Sequence, residues 1–276
     1  NAQEKIWEVK CETPAMLGRL SASAYAMISW CPAAYRIVYR QGRKMKWNVK
    51  GGEGGGSEFG SLTHCLLKRW DFRPESLALL LPQDKESVEY NTLLGTLPFE
   101  LRGEFASGAK RARILEMLQN YAKSDECRRF AKLAAENKLS RETRFRVRYN
   151  DTVLVGSTDL YWRDEKGVHL RDWKTSEEET APDIYYDSQL DFYAFALNLS
   201  LKERSAGELI DSALIYLRDK SDERKIRTYT AEDMEQIASS IKNAAIKALS
   251  GDFDAESERC AVCPWKSECA KRKISL

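Results

Sequence analysis

The spacing of apolar positions changes several times along the chain. From Ser21 to Arg40, "SASAYAMISWCPAAYRIVYR" predicts a helical stretch, with Ser21 or Ser23 placed to cap it. Glycine-rich "KGGEGGGSEFG" interrupts the pattern and contains Ser57, a suitable N-cap. After it Phe59, Leu62, Leu66 and Trp70 recur at helical spacing, and His64 lies on the same helix. Residues 74–140 alternate Leu- and Ala-rich helical patterns with charged positions and read as a helical insertion. The period then falls to 2. "TRFRVRY", an Asn150–Asp151 turn and "TVLVGSTDLYW" predict a hairpin, and "GVHLRDWKT" predicts a further strand. "DIYYDSQLDFYAFALNLS" returns to helix, "DSALIYLR" and "KIRTYT" read as strands, and "AEDMEQIASSIKNAAIKALS" reads as a capped amphipathic helix.

Two of these strands turn charged on the face that carries their apolar residues. Val168 and Leu170 share parity with Asp172 and Lys174, as Val153, Val155 and Ser157 do with Asp159. If Glu165 and Lys166 form a two-residue loop in "DEKG", Asp159 lies opposite Asp172, with Lys174 one pleat further on. A bulge at Gly167 would slip the pairing by one and send the carboxylates to opposite faces. Converging carboxylates beside an apolar core cost several kcal/mol each unless a positive charge intervenes. Mg²⁺ or Mn²⁺ supplies that charge and leaves positions open for phosphate, so the set points to phosphodiester hydrolysis. A single Asp-x-Lys, by contrast, is usually a surface ion pair.

Composition bounds the rest. The 276 residues carry 44 basic and 42 acidic side chains, a net charge of +2, so the whole molecule does not advertise a polyanion partner. Locally, Tyr35 to Lys50 holds six basic residues and no acid. Arg36, Arg40, Arg43, Lys44 and Lys46 are interleaved there with Tyr39 and Trp47, which suits a phosphate backbone with stacked bases or, more plainly, a solvated helix face. The chain contains no apolar run long enough for a membrane span, no secretory pattern and no phosphate-binding Gly-rich loop ending in Lys-Ser/Thr. The expectation is a cytoplasmic protein without a nucleotide-driven motor of its own. Asn1 and Ala2 suggest a piece of something longer. Seven cysteines argue against a disulfide framework, and Cys260, Cys263 and Cys269 are packed into "CAVCPWKSEC".

"GSTDLYWRDEKGVHLRDWKTS" resembles the core of the PD-(D/E)xK nuclease superfamily, in particular its RecB-like branch. Gly156 and Asp159 match the family's first strand motif, Asp172, Lys174 and Thr175 its second, and Gln189 with Tyr193 its helical motif. Gly60 and His64 match an upstream Gly-x-x-x-His. The resemblance implies a restriction-endonuclease-like α/β fold, a central mixed sheet flanked by helices, with a helical insertion and a C-terminal cysteine-rich segment. It also implies a Mg²⁺- or Mn²⁺-dependent deoxyribonuclease of exonuclease type. His64, Asp159, Asp172 and the main-chain carbonyl of Trp173 would be metal ligands, Lys174 the catalytic lysine, and Gln189 and Tyr193 neighbours of the substrate. Glu142 fits an acidic position just before the first strand. A core histidine, and a structural contact at i and i+4, are the plainer readings of His64 and of the Gln189–Tyr193 pair.

Three clustered thiolates need a fourth. By resemblance to RecB-like nucleases with an iron-sulfur staple, Cys31 joins Cys260, Cys263 and Cys269 around a four-iron four-sulfur cluster, with structural Zn²⁺ as the alternative. The implied organisation is one nuclease domain over residues 1–276. It comprises N-terminal helices (21–70), an insertion (71–140), a catalytic core (141–250) and a cysteine tail (251–276). DNA, single-stranded or with ends, is the expected substrate. The setting is the nuclease domain of a helicase–nuclease in double-strand-break repair, with a helicase motor as partner. A stand-alone nuclease of the CRISPR-adaptation type and an inactive DNA-binding module are the alternatives.

Overall fold

In a computed structural model, residues 7–8, 18–43, 57–175, 183–201, 209–218, 224–251 and 253–269 are described. The N-terminal part supplies strands β1 (Trp7–Glu8) and β2 (Gly18–Ser21) and then helix α1 (Ala22–Trp30). Ser21 is its cap: the hydroxyl accepts the Ala24 N–H at 3.2 Å. The expected single helix breaks at Cys31, whose backbone is extended at φ −162° and ψ 115°. Pro32 explains the break, because its ring disfavours helical geometry at the residue before it. The helix resumes as α2 (Pro32–Tyr35) and a π-helical turn, Arg36–Arg40.

Helix α3 (Ser57–Leu67) buries Phe59, Leu62 and Leu66, the spacing expected from the sequence. The insertion folds as α4 (Leu77–Leu80), α5 (Val88–Thr96), α6 (Phe99–Ala106), α7 (Gly108–Tyr121) and α8 (Asp125–Ala135). Ser87, Ser107 and Ser124 cap α5, α7 and α8. Two charged groups are buried there, each with partners. Arg111 donates to the Phe105 carbonyl at 2.7 Å beneath the Tyr90 ring, and Glu126 accepts the Tyr121 hydroxyl at 2.5 Å.

The period-2 stretch is a hairpin of β3 (Leu139–Tyr149) and β4 (Thr152–Asp164), turning through Asn150 at φ +49°. Strand β5 (Gly167–Lys174) follows, then α9 (Asp183–Ser200), β6 (Leu209–Tyr216), β7 (Arg224–Tyr229) and α10 (Ala231–Ser250). Thr230 and Asp233 form a capping box on α10, and Gly251 closes it in the left-handed region. The strand order is β1-β3-β4-β5-β6-β7, with β2 also paired to β4. Strand β5 runs parallel to β6 through α9 and antiparallel to β4, so the sheet is mixed.

The loop in "DEKG" has the two-residue form. Pairing runs from Asp164 opposite Gly167 to Leu160 opposite Arg171, which sets the register that aims Asp159 at Asp172. Gly167 is required there: it holds φ +135°, and a Cβ would lie 2.2 Å from the Leu209 carbonyl oxygen. Strand β5 is also no edge strand. It is paired on both sides and buried from Gly167 to Trp173, which removes the reading of Asp172 and Lys174 as a surface pair.

Two hydrophobic cores lie against the sheet. One gathers α1, α2, α9, α10 and the tail residues Phe253, Trp265 and Cys269 onto Phe145, Val147 and Leu154. The other gathers α3 and the insertion onto Leu160, Trp162, Trp173 and Ile215. Leu154 and Leu160 have the same parity on β4 yet belong to different cores. Between them, the β3–β4 ladder skips the step that would pair Glu142 with Asp159, and Glu142 has φ +44°. The sheet passes from one core to the other at this irregularity.

Candidate active site

The charged residues converge at that crossing. Gly60 on α3 faces the end of β5 closely enough that a Cβ would sit 3.2 Å from Thr175 Oγ1. This close approach brings His64, one turn later, over the strand ends. His64 Nδ1 lies 3.2 Å from Glu142 Oε1 and 3.3 Å from Asp159 Oδ1. The ligand atoms of these three residues all lie within 4.8 Å of one another, a grouping that can hold a metal ion. Burial disfavours a charged His64, but Asp159 and Glu142 outweigh it and raise the imidazole pKa well above its ordinary value. A positive charge is therefore favoured at this point, as a proton on the ring or as a cation.

Asp159, 8% exposed, turns its other oxygen to β5 and accepts the Trp173 N–H at 2.8 Å. The Trp173 indole meanwhile packs in the insertion core. Asp172, 5% exposed, pairs through Oδ2 with Lys174 Nζ at 2.5 Å. Burial pushes the Asp172 carboxyl above its ordinary pKa against the pull of Lys174, and Asp159 adds to the push. For Lys174 burial acts downward, but Asp172 reverses it and the ammonium is held protonated. Its Nζ also donates to Gln189 Oε1 at 3.2 Å and sits 4.8 Å from the centroid of the Tyr186 ring. Tyr193, one turn beyond Gln189 on α9, is kept protonated by burial and by Asp172 and Asp159.

The site residues expected from sequence thus fall in one place: His64, Glu142, Asp159, Asp172 and Lys174, with Gln189 and Tyr193 beside them. Oxygen and imidazole donors are what a hard divalent cation takes. Tyr186 is an addition that the sequence did not single out, although it precedes Gln189 by three residues on α9.

The second constellation joins the two ends of the chain. Cys31, Cys260, Cys263 and Cys269 line one pocket with Trp30, Ala34 and Arg259. None of the described cysteines is in a disulfide. Burial raises the Cys263 thiol, and Cys31, Cys260 and Cys269 are near enough to raise it further. Of the basic stretch, Arg40 donates to the Ala248 carbonyl at 2.5 Å and Arg43 lies 3.9 Å from Glu268. Arg36 is half-buried, and the Tyr39 ring stacks on buried Tyr35 at 5.1 Å. Lys44, Lys46 and Trp47 lie outside the described residues, as do Ser176 to Glu179.

A mixed sheet that presents carboxylates, a histidine and a lysine at one point, under flanking helices, is suited to divalent-metal chemistry on a phosphate. The family model of the PD-(D/E)XK nuclease superfamily matches residues 19–270, and the chain belongs to that superfamily. Its fold is accordingly restriction-endonuclease-like. No curated protein matches. Among solved structures, one described as "Crystal structure of SSO0001" is similar over 95% of this chain and 89% of that one, at 13% identity and a TM-score of 0.37. No helix among the described residues is long and apolar enough to cross a membrane.

Proposed function

We propose that the chain is a Mg²⁺- or Mn²⁺-dependent deoxyribonuclease, acting as an exonuclease, and that it serves as the nuclease domain of a helicase–nuclease. The observation that carries the reading is the convergence of two buried carboxylates, Glu142, His64 and a protonated lysine where the sheet passes between its cores. His64, Glu142, Asp159, Asp172 and the Trp173 carbonyl would hold the metal. When bound, it would polarise the phosphoryl oxygen and acidify a water. The side chains do the rest. Lys174, fixed by Asp172, Gln189 and the Tyr186 ring, orients the attacking water and neutralises charge that develops on the non-bridging phosphate oxygens. Water oxygen bonds to phosphorus as its proton passes to solvent, the bond to the leaving oxygen breaks and that oxygen takes a proton from solvent, and a phosphate end and a hydroxyl end result.

The helical insertion supports the helicase–nuclease setting, because a compact stand-alone nuclease has less chain between His64 and Glu142. The meeting of Cys31 with the C-terminal triplet supports a four-iron four-sulfur staple that ties both ends of the fold together. Arg36, Tyr39, Arg40 and Arg43, anchored beside it, would border the DNA. Cleavage of end-labelled single-stranded DNA with Mn²⁺ tests the nuclease. Lys174→Ala is expected to lose about 10²- to 10³-fold in rate, and equal rates in both proteins would overturn the reading. For the staple, anaerobically purified protein is expected to be coloured by iron and sulfide. A colourless, zinc-loaded sample would replace the cluster with zinc.

A further inference from the structure

Strand β3 carries Arg144, Arg146 and Arg148 on alternate positions, with Phe145 and Val147 buried between them. Arg144 and Arg146 are exposed, and Arg148 is half-buried with its Nε donating to the Asn150 carbonyl at 3.0 Å. Strand β2 extends the face, because exposed Arg19 is in register with Val153 on one side and Arg148 with Val153 on the other. The next rows are Arg146 with Val155 and Ser21, then Arg144 with Ser157. The following position on β3 is Glu142, in the site, and Ser157 Oγ donates to Glu142 Oε2 at 3.4 Å. The file of arginines therefore ends at the metal-binding group. No acid occupies the intervening positions of β3 or β4, and the acidic residue in register is Glu8 of β1, opposite Arg146.

We propose that this sheet face seats the sugar-phosphate backbone of the DNA strand that enters the active site. Guanidinium groups recognise phosphate oxygens by paired hydrogen bonds. Alternate residues of a strand lie about 6.7 Å apart, so the three guanidinium groups form a row along one strand of phosphates. The contact would be independent of base sequence. The inference deepens the nuclease reading and rests on it.

The test is anisotropy of fluorescent single-stranded DNA in EDTA, over a salt series, alongside Mn²⁺-dependent cleavage. The triple variant Arg144→Gln, Arg146→Gln, Arg148→Gln should bind at least tenfold more weakly. Its slope of log affinity against log salt should be shallower by about 2, three charges at roughly 0.7 each. Removing the same charge from the insertion, with Lys85→Gln, Lys123→Gln and Lys132→Gln, should change neither. The single variant Arg146→Glu, at an exposed position, keeps the test valid if the triple variant folds poorly, and it too should weaken binding. A wild type that cleaves DNA while the arginine variants bind unaltered, or while both triple variants lose affinity equally, overturns the track alone. A wild type that neither binds nor cleaves DNA overturns the track together with the nuclease reading.

Discussion

Histidine does two different jobs in this protein. His64 serves the site, whereas His169 locks the far end of β5. On the side of the strand that faces the insertion, His169 Nε2 lies 2.9 Å from Asp164 Oδ1 and Nδ1 meets Asp211 Oδ2. Arg171 pairs with the other oxygen of Asp211 at 2.5 Å, and the Trp162 ring stacks on the imidazole at 4.7 Å. Burial works against protonation of His169, but the bonds to Asp211 and Asp164 raise its pKa above the ordinary value. A folded pKa above the unfolded one makes the stabilisation complete below about pH 6.5 and removes it as pH climbs through the raised folded value. Melting temperature should therefore fall across that interval in wild type and fall less in His169→Gln. Parallel melting curves for the two proteins against pH would contradict the assignment. The sequence hides this lock, since His169 and Arg171 alternate with Val168 and Leu170 and look like the solvent side of an ordinary strand.

At the scale of elements, the hairpin and β5 were the most legible part of the fold. Period-2 alternation, the Asn150–Asp151 turn and the "DEKG" loop are local signals, and local geometry realises them. The short parallel strands β1 and β2 were not legible, because their pairing depends on strands more than a hundred residues away. The irregularity at Glu142 was equally invisible: positive φ there follows from passing the sheet between two cores, not from a glycine in the sequence. Gly156 was readable as part of a motif, yet its physical reason is packing. A Cβ there would lie 2.7 Å from Phe145 Cζ, and Phe145 belongs to the core under α9. Gly156→Ala should destabilise by about 1–3 kcal/mol. Combined with Phe145→Leu, which clears the ring, the two changes should couple by at least about 0.5 kcal/mol in urea unfolding. Strict additivity would show that the contact is not the cause.

At the scale of the molecule, the fold places its chemistry where two separately packed halves meet. His64 arrives on a helix of the insertion core, Gln189 and Tyr193 on a helix of the other core, and the carboxylates and Lys174 on strands between them. The candidate site residues were nominated from sequence because their order along the chain matches a known motif set. Their geometry could not, because it depends on both cores closing on one sheet. The central claim is that this junction binds the metal that cleavage requires. It is tested most directly by titrating Mn²⁺ into metal-free protein and following bound metal by electron paramagnetic resonance and DNA cleavage in the same samples. Binding and cleavage should rise together in wild type, and Asp159→Asn should lose both. Cleavage that persists in Asp159→Asn, or that proceeds without bound Mn²⁺ or Mg²⁺, would contradict the account.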